Sequence, residues 1–412
     1  MKPFHLSAIA LIVAAWGCTS DPVSPPARIM ALPRSLTTQE QQLIHADSRF
    51  AIKLLKAANV DTRDTLDNLF VSPLSVAMAL GMTYNGAVGT TADSMRATLE
   101  LEGMTVGEVN EANQSLIALL RGLDPHVQFH LANSIWYRSE YTVEQPFRDA
   151  NRTYFDAPVE ALDFDSPTAA QTINSWVNQQ TQGKIDEIVS PPIPRNALMY
   201  LINAIYFKGD WTRQFDKALT VPQPFHLQDG STVSVPTMTY GAEVPIQRAT
   251  TPLATVIDLP YGGAAFSMTI VLPRNGVTVD SVLASLTLDD WNASIAALDT
   301  SITELYLPKL KLENNLTLKP TLERLGMGIA FSPSLADFTR IFRTGGYITD
   351  VKHKTYVDVN EEGTTAAAVT AVVIGRSSTV ALRVDRPFLF ALREKLSGTI
   401  VFMGIIRHPP NE

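Results

Sequence analysis

The chain has 412 residues, 45% of them apolar and 18% charged, enough to bury a sizeable core and too apolar to stay unfolded over most of its length. Its 33 basic and 41 acidic residues leave a formal charge of −8, the wrong sign for a protein that lives on phosphate backbones, so nucleic acid is not an expected partner. One cysteine, Cys18, excludes an intrachain disulfide, a CxxC metal site and a cysteine nucleophile in the body of the protein.

At the N-terminus, Lys2 is followed by an apolar run from Leu6 to Gly17, too short to span a bilayer and the right length for a signal sequence. Ala14, Ala15 and Gly17 lead into Cys18, and residues 1–17 resemble a bacterial lipoprotein signal after which Cys18 is lipidated. Ala15 and Trp16 depart from the preferred Leu and small residue at those places, and an ordinary secretory signal cut elsewhere is the alternative. The resemblance implies a chain anchored in the bacterial cell envelope, facing outside the cytoplasm, or otherwise secreted. Pro22, Pro25, Pro26 and Pro33 make residues 18–36 an expected extended tether.

Thr37 with Glu40 forms a capping box, and Leu43, Phe50 and Leu54 recur at helical spacing, so a helix opens the folded part. Ser72-Pro73 starts a second helix whose apolar run, Leu74 to Met82, predicts burial on all sides. Thr105 and Glu108 repeat the capping box. The period then changes to two, with Val127, Phe129, Leu131, Asn133, Ile135 and Tyr137 on one face of a strand. Further strands are expected at Leu198–Phe207, Thr255–Leu259, Phe266–Leu272, Ile302–Leu307 and Phe388–Leu392. Helices fill the first half and strands dominate the second, which argues for one large α+β domain over 37–409.

No HExxH, GxSxG, GxGxxG or Walker sequence is present, so no common catalytic or cofactor signature supports an enzyme. His126 and His130 have helical metal-ligand spacing but fall in an alternating segment, where positions four apart lie far apart along the chain. Neither a metal nor a cofactor is implied.

One segment stands out. Thr364 to Gly375 reads TTAAAVTAVVIG, twelve residues without a charge, between Glu361-Glu362-Gly363 and Arg376-Ser377-Ser378. It is long for a strand, its alanines fill a core poorly, and it ends beside a bond attractive to trypsin-like proteases. The plain reading is a buried strand followed by a polar turn; the other is a strand that enters a sheet conditionally.

Several blocks carry a family resemblance. They are Asn68-Leu69-Phe70-Val71-Ser72-Pro73-Leu74-Ser75, Ile173-Asn174-Ser175-Trp176-Val177 with Thr181-Gln182-Gly183-Lys184-Ile185, and Asn203-Ala204-Ile205-Tyr206-Phe207-Lys208-Gly209-Asp210-Trp211. Leu307-Pro308-Lys309-Leu310, Val359-Asn360-Glu361-Glu362-Gly363-Thr364 and Arg386-Pro387-Phe388-Leu389-Phe390 continue the series. On these the chain resembles a serpin from about Thr37 to Pro409. The resemblance implies a metastable α+β fold of three sheets and about nine helices, with an exposed reactive loop near 361–384. It implies a monomeric inhibitor whose target is a serine or cysteine protease, trapped as an acyl-enzyme when the cut loop inserts as a strand.

The resemblance also assigns positions. Glu361, Glu362, Gly363, Thr364, Thr365, Ala366, Ala367 and Ala368 would form the hinge, with Thr365 standing where many inhibitory members carry Glu. Ser72, Ser75, Asn203 and His353 would form a polar shutter under the opening sheet. Trp211 would lie at the breach, where insertion begins, with Lys309 pairing Glu361 nearby. The reactive bond is Arg376-Ser377 on comparison of AVVIGRS with thrombin-type inhibitors, and Ser377-Ser378 on counting from the hinge glycine. No dense Lys/Arg cluster occurs between Leu101 and Leu123, so heparin activation is not implied.

Overall fold

The first helix begins where the capping box places it. Thr37 Oγ1 accepts from Glu40 N while Glu40 Oε2 accepts from Thr37 N, and α1 runs from Thr38 to Thr62. This is a computed structural model, and it describes residues 27–363 and 381–410. Among the described residues eight more α-helices follow: α2 (Pro73–Tyr84), α3 (Gly89–Thr98), α4 (Val106–Leu120), α5 (Gln145–Phe155), α6 (Ala169–Gln180), α7 (Val279–Ser285), α8 (Leu288–Ala296) and α9 (Lys319–Leu322). Helix α2 is buried at nearly every position, as its apolar run requires, and Thr105 caps α4 with Glu108.

Three ladders carry most of the strands. An antiparallel sheet of seven has the order β1 (Asn68–Val71), β16 (Ile400–Ile406), β15 (Phe388–Glu394), β9 (Phe266–Pro273), β8 (Ala254–Tyr261), β7 (Val244–Thr250) and β10 (Asp299–Thr303). A sheet of four runs β14 (Leu382–Arg383), β11 (Leu305–Pro308), β6 (Thr232–Thr239) and β5 (Val221–His226). A sheet of three runs β3 (Val159–Leu162), β2 (Val127–Arg138) and β4 (Met199–Gly209). The alternation in β2 is kept, with Val127, Phe129, Leu131, Asn133, Ile135 and Tyr137 all buried.

The remaining pair, β12 (Leu310–Thr317) with β13 (Lys352–Val359), is antiparallel and forms its own ladder. It meets the three-stranded sheet just past the end of β4, where Trp211 N donates to Glu362 O at 3.4 Å and Phe215 N to Glu361 O at 3.0 Å. Among the described residues no ladder joins β4 to β13 themselves. Counted as one interrupted sheet, these five strands complete the three sheets that the sequence resemblance implies.

One local expectation needs correction. The strand expected over Ile302–Leu307 is two strands in different sheets, because the chain crosses over at Glu304, whose carbonyl accepts from Leu382 N at 2.8 Å. Of the tether expected over 18–36, residues 27–36 are described; none is buried and Met30 is 77% exposed, but Ile29 and Arg34 touch the folded part. Ile29 N donates to Gly263 O at 2.7 Å, and Arg34 makes paired hydrogen bonds to the buried Glu40 carboxylate at 2.8 and 2.5 Å. The guanidinium holds the Glu40 carboxyl down at about 2.

The core follows the seven-stranded sheet, where Phe70 stacks on Phe402 and Phe390 at centroid distances of 5.0 and 5.5 Å. Gly404 lets these rings close. A Cβ there would stand 2.4 Å from Phe390 Cε1 and 2.9 Å from the Leu69 carbonyl oxygen. Gly404→Ala should therefore lower unfolding stability by about 1–3 kcal/mol through overpacking, read by urea titration. A neutral or stabilising result would show that the aromatic stack yields.

Candidate functional site

The site lies along the boundary between β4 and β13, and the first turn of α2 reaches both sides of it. Ser72, the N-cap residue, donates its backbone N–H to His353 Nε2 on β13 at 2.9 Å. Its hydroxyl accepts from Ser75 N at 3.2 Å and donates to Val401 O at 2.8 Å. One turn on, the Ser75 hydroxyl donates to Asn203 Oδ1 on β4. The sequence-derived quartet Ser72, Ser75, Asn203 and His353 is thus one hydrogen-bonded cluster.

Sequence reasoning missed a fifth member. Asn203 Nδ2 donates to Asn133 Oδ1 at 2.6 Å, and Asn133 Nδ2 donates to Phe155 O at 2.7 Å, so the network continues into β2 and the end of α5. The clue was present: Asn133 is the polar residue on an otherwise apolar strand face. A buried amide at such a place needs partners. A cavity of about 340 Å³ opens beside the cluster, lined by Ser75, Ala79, Tyr200, Asn203, Ile348 and His353 among others.

At the other end of the boundary Trp211 organises the turn after β13. Its ring stacks on Tyr261 at 4.2 Å and 12° and meets Phe215 edge-on at 5.9 Å. The indole Nε1–H donates to Asn360 O at 2.8 Å, and Gln214 Nε2 donates to Glu362 O at 3.0 Å. Asn360 was missed because it acts through its carbonyl, which any residue would supply.

Gly363 closes this turn with φ +64°, and a Cβ would stand 2.1 Å from the Trp211 nitrogen. Left-handed backbone and lack of space both demand glycine. Lys309 Nζ lies 3.0 Å from Glu361 Oε2, and the carboxylate side chain is only 5% exposed. Burial opposes its charge, but hydrogen bonds from the backbone and from Lys309 outweigh that and hold the carboxyl below its usual range. Thr364, Thr365, Ala366, Ala367 and Ala368, the bonds Arg376-Ser377 and Ser377-Ser378, and Cys18 lie outside the described residues.

Burial pushes the His353 imidazole down to about 4, and its Nε2 must stay unprotonated to accept from Ser72. In the unfolded chain histidine titrates near 6.5, so between about pH 6.5 and 4 the unfolded chain takes up a proton that the folded chain refuses. The contribution of neutral His353 is complete above that window and is lost as pH falls through it, at up to about 1.4 kcal/mol per pH unit. Asp47, lifted by burial to about 7, acts in the opposite sense, so the test is a difference between two proteins. Urea titrations across the window should give a shallower decline for His353→Gln than for the wild type, and equal slopes would refute the assignment.

The family described as Serpin (serine protease inhibitor) matches residues 45–409. Iripin-8 of Ixodes ricinus is 33% identical over 389 residues, covering 90% of this chain and 94% of its own length. Among solved structures, the thermophilic serpin tengpin in its native state superposes with a TM-score of 0.80 at 30% identity, over 92% of this chain and 97% of that one. Human thyroxine-binding globulin complexed with thyroxine gives a TM-score of 0.79 at 26% identity, over 90% of this chain and 100% of that one. With this coverage, and with the fold described above, the chain belongs to the serpin family of protease inhibitors.

Proposed function

We propose that this chain inhibits serine-type endopeptidases as a suicide substrate, with trypsin-like proteases as its targets. The observation that carries the reading is the boundary between β4 and β13, two neighbouring strands without a ladder between them among the described residues. A segment entering there from Gly363 would find backbone donors and acceptors on both sides. Thr364 to Gly375 brings no charge to desolvate. Some ten new backbone hydrogen bonds at about 1 kcal/mol each would contribute on the order of 10 kcal/mol, comparable with the whole stability of an ordinary domain.

The chemistry belongs to the protease. Its serine oxygen attacks the Arg376 carbonyl carbon, the Arg376–Ser377 bond breaks, and the new amine of Ser377 leaves with the C-terminal peptide while Arg376 stays esterified to the enzyme. Insertion of the loop then carries the acyl-enzyme away before water can resolve it. This chain contributes bait and driving force and no catalytic group. Cleavage after Ser377 instead would suit elastase-like proteases, and cysteine proteases would form the corresponding thioester. A non-inhibitory binding role, to which the likeness to thyroxine-binding globulin points, predicts cutting without trapping.

Mixed with trypsin, the protein should give a complex that survives SDS and reductant, and the released peptide should begin at Ser377 by mass spectrometry. Arg376→Ala should abolish the complex with trypsin. Cleavage of the loop should raise the melting temperature sharply. Free active trypsin beside cut protein with an unchanged melting temperature would overturn inhibition in favour of the binding role. Lipidation at Cys18 would tether the inhibitor to the outside of the cell envelope as a monomer. Cys18→Ala should then move it from the membrane to the soluble fraction, and unaltered fractionation would overturn the anchor.

A further inference from the structure

The cavity of about 340 Å³ beside the Ser72 cluster is walled by α2, by the approach to β4 with its first residues, and by residues 346–353 leading into β13. That volume falls within the range of about 300–1,000 Å³ typical of small-molecule sites, and corresponds to roughly eleven waters at about 30 Å³ each. Much of the wall is apolar, with Val76, Leu80, Val189, Ile202, Phe338 and Ile341 all buried. Water would find few partners there. The polar side chains on the wall are largely spoken for. Ser75 donates to Asn203 Oδ1, the Asn203 amide to Asn133 Oδ1, and Thr83 Oγ1 to Ala79 O. Asn196, Tyr200 and Thr349 are exposed or half-buried, where water can satisfy them. His353 is different, being only 5% exposed. Its Nε2 accepts from Ser72 N, so the proton of the neutral ring sits on Nδ1. Among the described residues that N–H has no partner, and the nitrogen is not sealed off by protein atoms. A buried donor therefore faces a largely apolar space.

We propose that this cavity binds a small uncharged molecule, apolar over most of its length and carrying one carbonyl oxygen that accepts from His353 Nδ1–H. The charge follows from the wall. Lys352, the cation on it among the described residues, is paired with Asp350 at 2.7 Å and donates to Thr317 Oγ1 at 2.9 Å. A carboxylate would be buried there without a counter-ion, whereas a carbonyl needs only the one donor. The size follows from the volume, which suits a molecule of about ten non-hydrogen atoms. A ketone or an ester meets both demands. A hydrocarbon of the same shape would cover the same wall and leave the His353 donor unpaired, a difference of about two- to tenfold in affinity. The site belongs to the uncut protein and does not depend on the proposed inhibition.

Butyrophenone and butylbenzene share one carbon skeleton and differ in the carbonyl, so the pair probes the donor directly. Titrated into the uncut chain and followed by calorimetry, butyrophenone should saturate a single site and bind about two- to tenfold more tightly than butylbenzene. The proton resonance of His353 Nδ1–H should shift with butyrophenone and by less with butylbenzene. Ala79→Leu fills the cavity from α2, and Ile348→Phe fills it from the approach to β13. Each should weaken both compounds by about tenfold or more, because a packed interior leaves no room for the displaced ligand. If one variant does not fold, the other decides, and the comparison of the two compounds in the wild type stands without either. Absence of saturable binding, equal affinity for ketone and hydrocarbon, or unchanged affinity in a folded filling variant would overturn the site.

Discussion

One helical turn holds two half-sheets in place. Ser72 grips β13 through His353 and Ser75 grips β4 through Asn203, so the start of α2 clasps both sides of a boundary that has no ladder of its own among the described residues. The geometry follows from local chemistry. Ser72-Pro73 is a strong helix start, the N-cap hydroxyl is committed to Ser75 N and Val401 O, and the N-cap backbone N–H, one of the groups that no helix satisfies internally, is left to bond His353. Burying α2 on nearly every side fixes the clasp in the core.

The two ends of the boundary are built from different materials. At the Ser72 end the joints are side-chain hydrogen bonds, each of modest net strength because partners can be exchanged. At the Trp211 end backbone bonds and stacked rings, Trp211 on Tyr261 and Phe215 on Tyr240, both at 4.2 Å, join side-chain hydrogen bonds from Trp211 and Gln214 to backbone carbonyls. The seven-stranded sheet behind them is hydrogen-bonded from edge to edge, with one register shift between β15 and β16 at Leu392/Arg393, and is crossed by a buried ionic knot. There Asp258 accepts from Ser267, Thr269 and Arg393 at 2.6 to 3.0 Å. Such a knot adds little net stability, but breaking it would strand a buried charge, so it favours one register of β8, β9 and β15 over others.

What the sequence shows in advance is what depends on near neighbours. The capping boxes at Thr37 and Thr105, the helix start at Ser72-Pro73 and the alternation of β2 all rest on residues within three positions of one another, and each stands in the structure. Long-range matters are harder to see. Nothing local marks Glu304 as the point where the chain changes sheets, since Thr303, Leu305 and Leu307 keep one unbroken alternation of buried positions. Nor does a proline-rich segment announce that Ile29 will bond Gly263, more than two hundred positions away. Family resemblance located the quartet around Ser72, while Asn133 and Asn360 join through partners that only the folded chain brings near.

The asymmetry of the boundary bears on the direction in which a strand would enter. Gly363 is fixed by a turn that tolerates no Cβ, directly against Trp211 N, so an incoming segment starts from a rigid, well-defined point. Had that end been made of exchangeable polar groups, the register of the first residues would be loose, and a slip of one position would turn every side chain to the wrong face. Flexibility is better spent further along, where Asn203 and His353 can yield in sequence. In the proposed mechanism a stiff origin followed by yielding joints would let insertion proceed in one register from one end, giving a spring that releases along a single path.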